Sequence, residues 1–322
     1  MDAKPPQRLR IALLAGGVSA EREVSLNSGR QVLAALDPAR YEVTCYDPKT
    51  DLARLVADAA RIDAALILLH GPFGEDGTIQ GMLDLLGIPY QGSGVLGSAV
   101  AMNKIAAKRL YREAGIPVPG DLVLRRSDPL DAEAVTRRLG LPLVVKPVAG
   151  GSSVGVSIVR RKEDLPAALA AAFAHDREVM LECFIEGVEI TGAVIGNDEL
   201  EALPLIEIIP GSGYEFFDYG AKYTAGATEE ICPARIDPEL AAEGRRLAVA
   251  AHRALFCRGY SRTDMILRGR EIFVLETNTI PGMTATSLLP RAAAAAGIGF
   301  GRLLDRLIAL SLEGRPPRGG GP

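Results

Sequence analysis

Gly259-Tyr260-Ser261-Arg262-Thr263-Asp264 and, a few residues later, Leu275-Glu276-Thr277-Asn278-Thr279-Ile280-Pro281-Gly282-Met283-Thr284 place three oxygen-bearing side chains and one arginine in a single short stretch. Tyr260 to Leu267 and Glu271 to Glu276 are strand-like, and Arg268-Gly269-Arg270 between them reads as a hairpin turn. Side chains alternate faces along a strand, so Arg262 and Asp264 share one face, as do Glu276 and Asn278. If the two runs pair, all four can point into one cleft. Carboxylate and amide oxygens suit a hard cation such as Mg²⁺, which commonly combines few protein ligands with substrate phosphates. An ordinary edge hairpin with solvated charges has the same spacing, so the stretch acquires meaning only from the rest of the chain.

With 322 residues the chain is long enough for two or three domains with a buried core. Its apolar and charged fractions are those of a soluble globular protein. A formal net charge of −4 argues against general attraction to nucleic acid or an anionic membrane, so a phosphate ligand requires a dedicated pocket. The first ten residues lack a signal-peptide core, and no apolar run nears the roughly 20 residues that span a bilayer. A cytoplasmic protein is expected. Cys45, Cys183, Cys232 and Cys257 lie far apart, and His70, His175 and His252 do not cluster, so neither disulfides nor zinc are expected.

Arg10 to Ala15, Tyr41 to Tyr46 and Ala64 to Leu69 are short apolar runs, each followed by a helix-compatible stretch, and predict a βαβα unit with a parallel sheet. A helix over Ala101 to Ala114 leads out of it, which puts a boundary near residue 102. Beyond that, Asp121 to Leu124, Leu143 to Lys146, Gly155 to Val159 and Glu178 to Cys183 read as strands, with helices at Asp131 to Leu139 and Glu163 to Phe173. This is a small α+β unit. From Val188 onward come further strands, a polar loop at 211–230, a helix from Pro238 to Phe256, the hairpin, and two helices after Ser287.

Other stretches carry chemistry of their own. Lys146-Pro147 is followed by Gly150-Gly151-Ser152-Ser153-Val154-Gly155, whose small residues let backbone N–H groups approach an anion while the lysine adds charge. It is neither a Walker loop nor a dinucleotide fingerprint, and a Gly-Ser hairpin without a ligand fits equally. Gly16-Gly17-Val18-Ser19-Ala20-Glu21-Arg22-Glu23-Val24-Ser25 follows the first strand, and His70-Gly71-Pro72-Phe73-Gly74-Glu75-Asp76-Gly77 follows the third. Both open at the sheet edge where α/β proteins bind ligands. Alone, Glu21 also reads as helix N-terminal charge compensation and His70 as a core histidine. Glu182-Cys183-Phe184-Ile185 ends a strand and could offer backbone groups to a purine, with Glu189 reaching ribose hydroxyls. Phe217-Asp218-Tyr219-Gly220-Ala221-Lys222-Tyr223 suits a lid within a loop too long to be idle.

Taken in order, these motifs resemble the D-alanyl-D-alanine ligases of the ATP-grasp superfamily over about Ile11 to Leu312. The resemblance implies a three-domain ATP-grasp architecture of α/β and α+β class: an N-terminal doubly wound parallel-sheet domain at 1–102, a central subdomain at 103–186, and a C-terminal catalytic domain at 187–322 with a lid at 211–230. The nucleotide would lie between the last two. It further implies ATP-dependent joining of two D-alanines through a D-alanyl phosphate, for peptidoglycan synthesis. Glu21 would hold the first ammonium, Ser152 and Tyr223 would link to the lid, and Arg262 with the Gly282 N–H would stabilise an oxyanion. Asp264, Glu276 and Asn278 would hold two Mg²⁺ or Mn²⁺ ions. Lys104, Lys146 and Lys222 would contact phosphates, Glu182, Cys183, Phe184 and Ile185 adenine, and Glu189 ribose. Ser287 and Leu288 would receive the second D-alanine, with His70 near the substrate, and a homodimer is the expected assembly.

Three positions depart from the family pattern: Asn103 where aspartate is common, Gly150 where an acid often sits, and Gly220 where glutamate is frequent. Lys222-Tyr223 resembles the dipeptide-forming members rather than those making D-alanyl-D-lactate. Another ATP-grasp carboxylate–amine ligase would share Lys146, Asp264, Glu276 and Asn278 without the Glu21 motif. A regulatory nucleotide-binding module would lack a metal ligand or the arginine.

Overall fold

Strand β1 (Leu9–Leu14) is the centre of a parallel sheet in the computed structural model, which describes residues 8–151, 154–211 and 228–313. Its neighbours are β2 (Tyr41–Tyr46), reached through helix α1 (Arg22–Ala35), and β3 (Ala64–Ile67), reached through α2 (Leu52–Asp58). Ile11 and Leu13 enter one apolar core while Ala12 and Leu14 enter another on the opposite face. Burial on both faces explains why the strand reads as a continuous apolar run. β3 ends at Ile67 rather than running to Leu69, although the Leu68 N–H still bonds to Leu14 of β1, and the chain beyond leads into the His70 turn. Helices α3 (Thr78–Leu85) and α4 (Val95–Met102) follow.

The helix expected over Ala101 to Ala114 is two helices, α4 and α5 (Lys104–Glu113), broken at Asn103. Asn103 is extended, bridges Ala149, and accepts a hydrogen bond from the Ala106 N–H through its side chain at 3.0 Å. Asparagine at an N-cap satisfies one of the orphan donors of the new helix, so the break is built into the sequence.

The second sheet, antiparallel, has the order β4 (Asp121–Arg125), β7 (Glu178–Cys183), β5 (Leu143–Pro147), β6 (Ser157–Val159), with α6 (Ala132–Leu139) and α7 (Leu165–Phe173) contributing to one core against it. The third is also antiparallel, in the order β11 (Thr228–Ile231), β10 (Ile206–Pro210), β8 (Val188–Gly196), β12 (Gly259–Arg268), β13 (Glu271–Asn278), with the short β9 (Glu201–Ala202) on β8. Helix α8 (Pro238–Ala254) packs on its outer face, and α5 joins the same core through Ala107 and Tyr111.

Helices α9 (Leu288–Ala295) and α10 (Phe300–Leu312) return to the beginning of the chain. Leu303, Leu304, Leu307 and Ile308 share a core with Ile11, Leu13, Leu66 and Leu68 of the first sheet and with Ile195, Ile206 and Tyr260 of the third. Two of the three sheets are thereby fixed to one another around a common apolar centre.

Candidate active site

The antiparallel register of β12 and β13 sets Arg262 opposite Asn278 and Asp264 opposite Glu276. Just past Asp264 the register slips, Met265 facing Val274, so β13 carries one extra residue there, Leu275. Such a bulge re-aims side chains. Successive residues of a regular strand face opposite ways, yet Leu275 and Glu276 both line the same cavity, together with Asp264 and Ile266. Arg262 grips Asp264 with two parallel hydrogen bonds, Nε to Oδ1 at 2.9 Å and Nη2 to Oδ2 at 2.8 Å. From β8, Thr191 Oγ1 donates to Asp264 Oδ1 at 2.6 Å. Burial alone would lower the Arg262 pKa, but Asp264, with Glu276 and Glu75 beyond it, raises it above its ordinary value.

Like charges directly across a strand pair repel, so cations near Asp264 and Glu276 relieve the pair. Arg262 supplies one, and Lys104 Nζ, 3.7 Å from Glu276 Oε2, supplies another. Among the described residues no three His, Cys, Asp or Glu side chains form a metal cage. Two carboxylates and the Asn278 amide, whose Oδ1 is oriented by the Ile280 N–H at 2.9 Å, match a divalent cation that takes its other ligands from phosphate.

The cavity, of about 160 Å³, lies between the second and third sheets. Lys104 and Lys146, both buried, enter it from α5 and β5, while Glu182, Cys183, Phe184, Ile185 and Glu189 form another part of its lining. Lys104 Nζ also donates to the Gly150 carbonyl at 2.6 Å. The Glu182 carboxylate is turned toward lysines rather than left open: Lys146 Nζ lies 2.5 Å from Oε2, and Lys108 Nζ contacts Oε1. Burial would raise the Glu182 pKa, but Lys146 and Lys108 hold it below its usual range. Lys108 itself is pushed down to about 8, by burial against the opposing pull of Glu182.

On the first sheet, the Gly16-Gly17 turn runs with φ of +102° and +80°, and a Cβ on Gly16 would lie 2.7 Å from the Asp47 carboxylate. Asp47 accepts from the Gly17 N–H at 2.9 Å and pairs with Arg22 at 2.5 Å, which holds its pKa down to about 2 and fixes the entry to α1, where Glu21 is buried. Across from it, Glu75 Oε2 accepts from the Gly71 N–H at 2.7 Å, and Glu75 Oε1 is 4.0 Å from His70 Nδ1. Gly71 adopts φ +68°, and a Cβ there would sit 3.2 Å from Glu21 Oε2. A Cβ on Gly151 would come within 3.8 Å of Glu75 and 3.9 Å of Glu21, so the second sheet's glycine turn closes over these acids. Burial lowers the His70 pKa, but Glu75 and Glu21 outweigh it and raise the value. Arg262 acts on His70 in the opposite sense, which places the hairpin within electrostatic reach of this corner.

The last component is the turn from Gly282 to Ser287. Ser287 Oγ accepts from the Thr284 N–H at 3.1 Å, lies 2.7 Å from Thr284 Oγ1, and would be 3.0 Å from a Cβ on Gly282. Ser287 occupies the N-cap of α9 without capping it through its side chain, so the helix opens with backbone donors beside that hydroxyl, Leu288 first among them. The structure therefore brings Lys104, Lys146, Glu182 to Ile185, Glu189, Asp264 and Glu276 around one cavity, sets Arg262 and Asn278 beside them on the hairpin, and gathers Glu21, His70 and Glu75 at a corner next to Gly151 of its lining. Ser152, Lys222 and Tyr223 lie outside the described residues, as does Gly220.

The family model described as "D-ala D-ala ligase C-terminus" matches residues 110–309, and "D-ala D-ala ligase N-terminus" matches 10–57 and 48–93. The chain belongs to the D-Ala-D-Ala ligase family. The family's D-alanine–D-alanine ligase from Syntrophobacter fumaroxidans is 63% identical over 307 residues, covering 95% of this chain and 99% of the relative. That from Desulfotalea psychrophila is 54% identical, covering 97% and 98%. Among solved structures, the Bacillus anthracis D-alanine–D-alanine ligase complexed with ATP superposes with a TM-score of 0.83 at 39% identity, covering 94% and 97%.

Four residues of the site had no role assigned from sequence. Glu75 sits within a quoted glycine turn, so its placement had a local signal, whereas Asp47 follows β2 and reaches the Gly16-Gly17 turn only through the fold. Lys108 had a weaker one, four residues after Lys104 and hence on the same helix face. Thr191 had none, because only strand pairing brings it to Asp264.

Proposed function

We propose that this chain joins two molecules of D-alanine at the expense of ATP, giving D-alanyl-D-alanine, ADP and phosphate for peptidoglycan synthesis. The observation that carries the reading is the register that aligns Arg262, Asp264, Glu276 and Asn278 at one end of a lysine-lined cleft, facing the Glu21–His70–Glu75 corner.

A carboxylate oxygen of the first D-alanine attacks the γ-phosphorus, the bond to ADP breaks, and an acyl phosphate forms. The amine of the second D-alanine, having shed a proton, then attacks the acyl carbon, and phosphate leaves with the C–O electron pair. Glu21 holds the first ammonium, and His70, kept beside Glu75, borders the pocket for the methyl-bearing carbon. Arg262 and the Gly282 N–H face the negative charge that develops on the acyl oxygen, where fixed donors do most good. The α9 N-terminus, with Ser287 and Leu288, receives the second carboxylate. Lys104 and Lys146 meet the phosphates, the 182–185 segment meets adenine, and Glu189 meets ribose. Two Mg²⁺ or Mn²⁺ ions, when held by Asp264, Glu276 and Asn278, would supply charge neutralisation to the triphosphate. The roles of Ser152, Lys222 and Tyr223 rest on sequence resemblance, as does the lid, whose expected end at 230 is corrected by β11, since 228–230 pair with β10 and belong to the sheet.

A division at residues 102 and 186 is supported by one sheet per segment. Among the described residues no helix is long and apolar enough to cross a membrane. A cytoplasmic homodimer is the state we propose, and sedimentation velocity measures the assembly.

The decisive assay supplies ATP and D-alanine with D-serine or D-lactate as competing acceptors and identifies the products. D-alanyl-D-alanine is expected to dominate, and equal turnover with L-alanine would overturn the reading. Arg262→Ala is expected to lower kcat by about 10²–10³ while nucleotide binding persists, as loss of one oxyanion donor does elsewhere.

A further inference from the structure

Resting on the assignment of the cleft to ATP, we propose that Lys108, outside the set that faces the nucleotide, is a positioning residue that keeps the Lys146 ammonium available to the phosphates. The case is one of charge balance. Each cation at the cleft is paired with a carboxylate: Arg262 with Asp264, Lys104 with Glu276, and Lys146 with Glu182. Asp264 and Glu276 belong to the set that would hold divalent cations, which would draw them from their basic partners. Glu182 lies on the other sheet and has no such alternative. Left alone with Lys146, a carboxylate 2.5 Å away would cancel the charge that a phosphate must find.

Lys108 answers that need. It is 1% exposed, its ammonium contacts the other oxygen of Glu182, and it donates to the Pro119 carbonyl at 3.1 Å. Asp121 lies 3.8 Å away and is itself held by Arg112. The three central groups, Lys108, Glu182 and Lys146, sum to one net positive charge, and of the two lysines only Lys146 lines the cavity. Topology fixes the arrangement. Glu182 pairs with Val144 across β7 and β5, placing Lys146 diagonally beside it on the same face, while Asp121 of β4 is opposite Glu182 on its other side. Helix α5 drops Lys108 onto this row one turn beyond Lys104.

The test is calorimetric binding of ATP, ADP and adenosine to the full chain, with thermal melting recorded for each variant. Lys108→Met is expected to weaken ATP about tenfold, with adenosine nearly unchanged. Lys108→Arg is expected to bind ATP as the native chain does. Lys108→Met combined with Glu182→Gln is expected to restore the ATP-to-adenosine ratio, because the carboxylate that silences Lys146 has gone. Equal loss of ATP and adenosine in Lys108→Met, or no restoration in the folded double variant, would overturn the proposal. Should Lys108→Met not fold, Glu182→Gln alone is compared with the double variant. An equal ratio in the two supports the proposal, and a loss on adding methionine overturns it. Native protein that binds neither ATP nor adenosine would instead overturn the assignment of the cleft itself.

Discussion

Buried titratable side chains in this protein are held in chosen charge states by their surroundings. His252 is the clearest outside the cleft: nearly inaccessible, its Nδ1 is 2.7 Å from Ser261 Oγ, and burial lowers its pKa to about 4. The unfolded chain takes up this proton near pH 6.5, whereas the folded chain resists until about pH 4. Stability from this group is therefore complete above pH 6.5 and falls as pH drops toward 4, by on the order of 3 kcal/mol. Melting curves of the native chain and His252→Gln should converge in their pH slope above 6.5 and diverge below it, the variant having the shallower acid limb. Identical slopes would refute the burial-driven depression. At this scale the sequence displayed part of the site. Arg262, Asp264, Glu276 and Asn278 were legible because alternation along two adjacent strands fixes their faces. Thr191 acquires meaning only from β12, and the spacing that aligns Lys108 with Lys104 does not record that this lysine will be enclosed against Glu182 of β7.

The segment that separates α4 from α5 shows how one residue shapes an element. Periodicity over 101–114 is continuous and predicts a single helix, but Asn103 caps a second one. Apolar spacing is the same on both sides of the break, so only the capping chemistry distinguishes them. Because Lys104 is the first residue of α5, the cap also sets where its ammonium enters the cleft. Asn103→Ala is expected to lower stability by about 1 kcal/mol and to raise KM for ATP more than it lowers kcat, read from melting and steady-state rates. Aspartate, common here in the family, would keep the acceptor and add favourable charge at the helix start, so Asn103→Asp should retain stability. The bulge at Leu275 was equally hidden. Both strands were visible in composition, whereas the extra residue appears only once Asp264 and Met265 are matched to their partners.

Across the whole molecule, the fold class was readable because the first sheet has short apolar runs that alternate with helix-compatible stretches, whereas the later strands follow one another in groups. What composition could not convey is that α10 packs on β1 and β3, since apolar periodicity identifies a face without naming its partner. Leu307 sits in that shared core, fully enclosed. Leu307→Ala is expected to cost about 2–5 kcal/mol. Since one core serves the first and third sheets, probes placed in either should report the same shifted unfolding midpoint, and separate midpoints would show that the units melt independently.

That same α10 contact has a bearing on how the polypeptide is made. A ribosome releases β1 early and α10 much later, so the side of the opening sheet that carries Ile11, Leu13, Leu66 and Leu68 has only the end of α1, with Val32 and Leu36, to cover it until the C-terminal helices emerge. The Glu21–His70–Glu75 corner is thus synthesised early on a sheet whose packing is completed late.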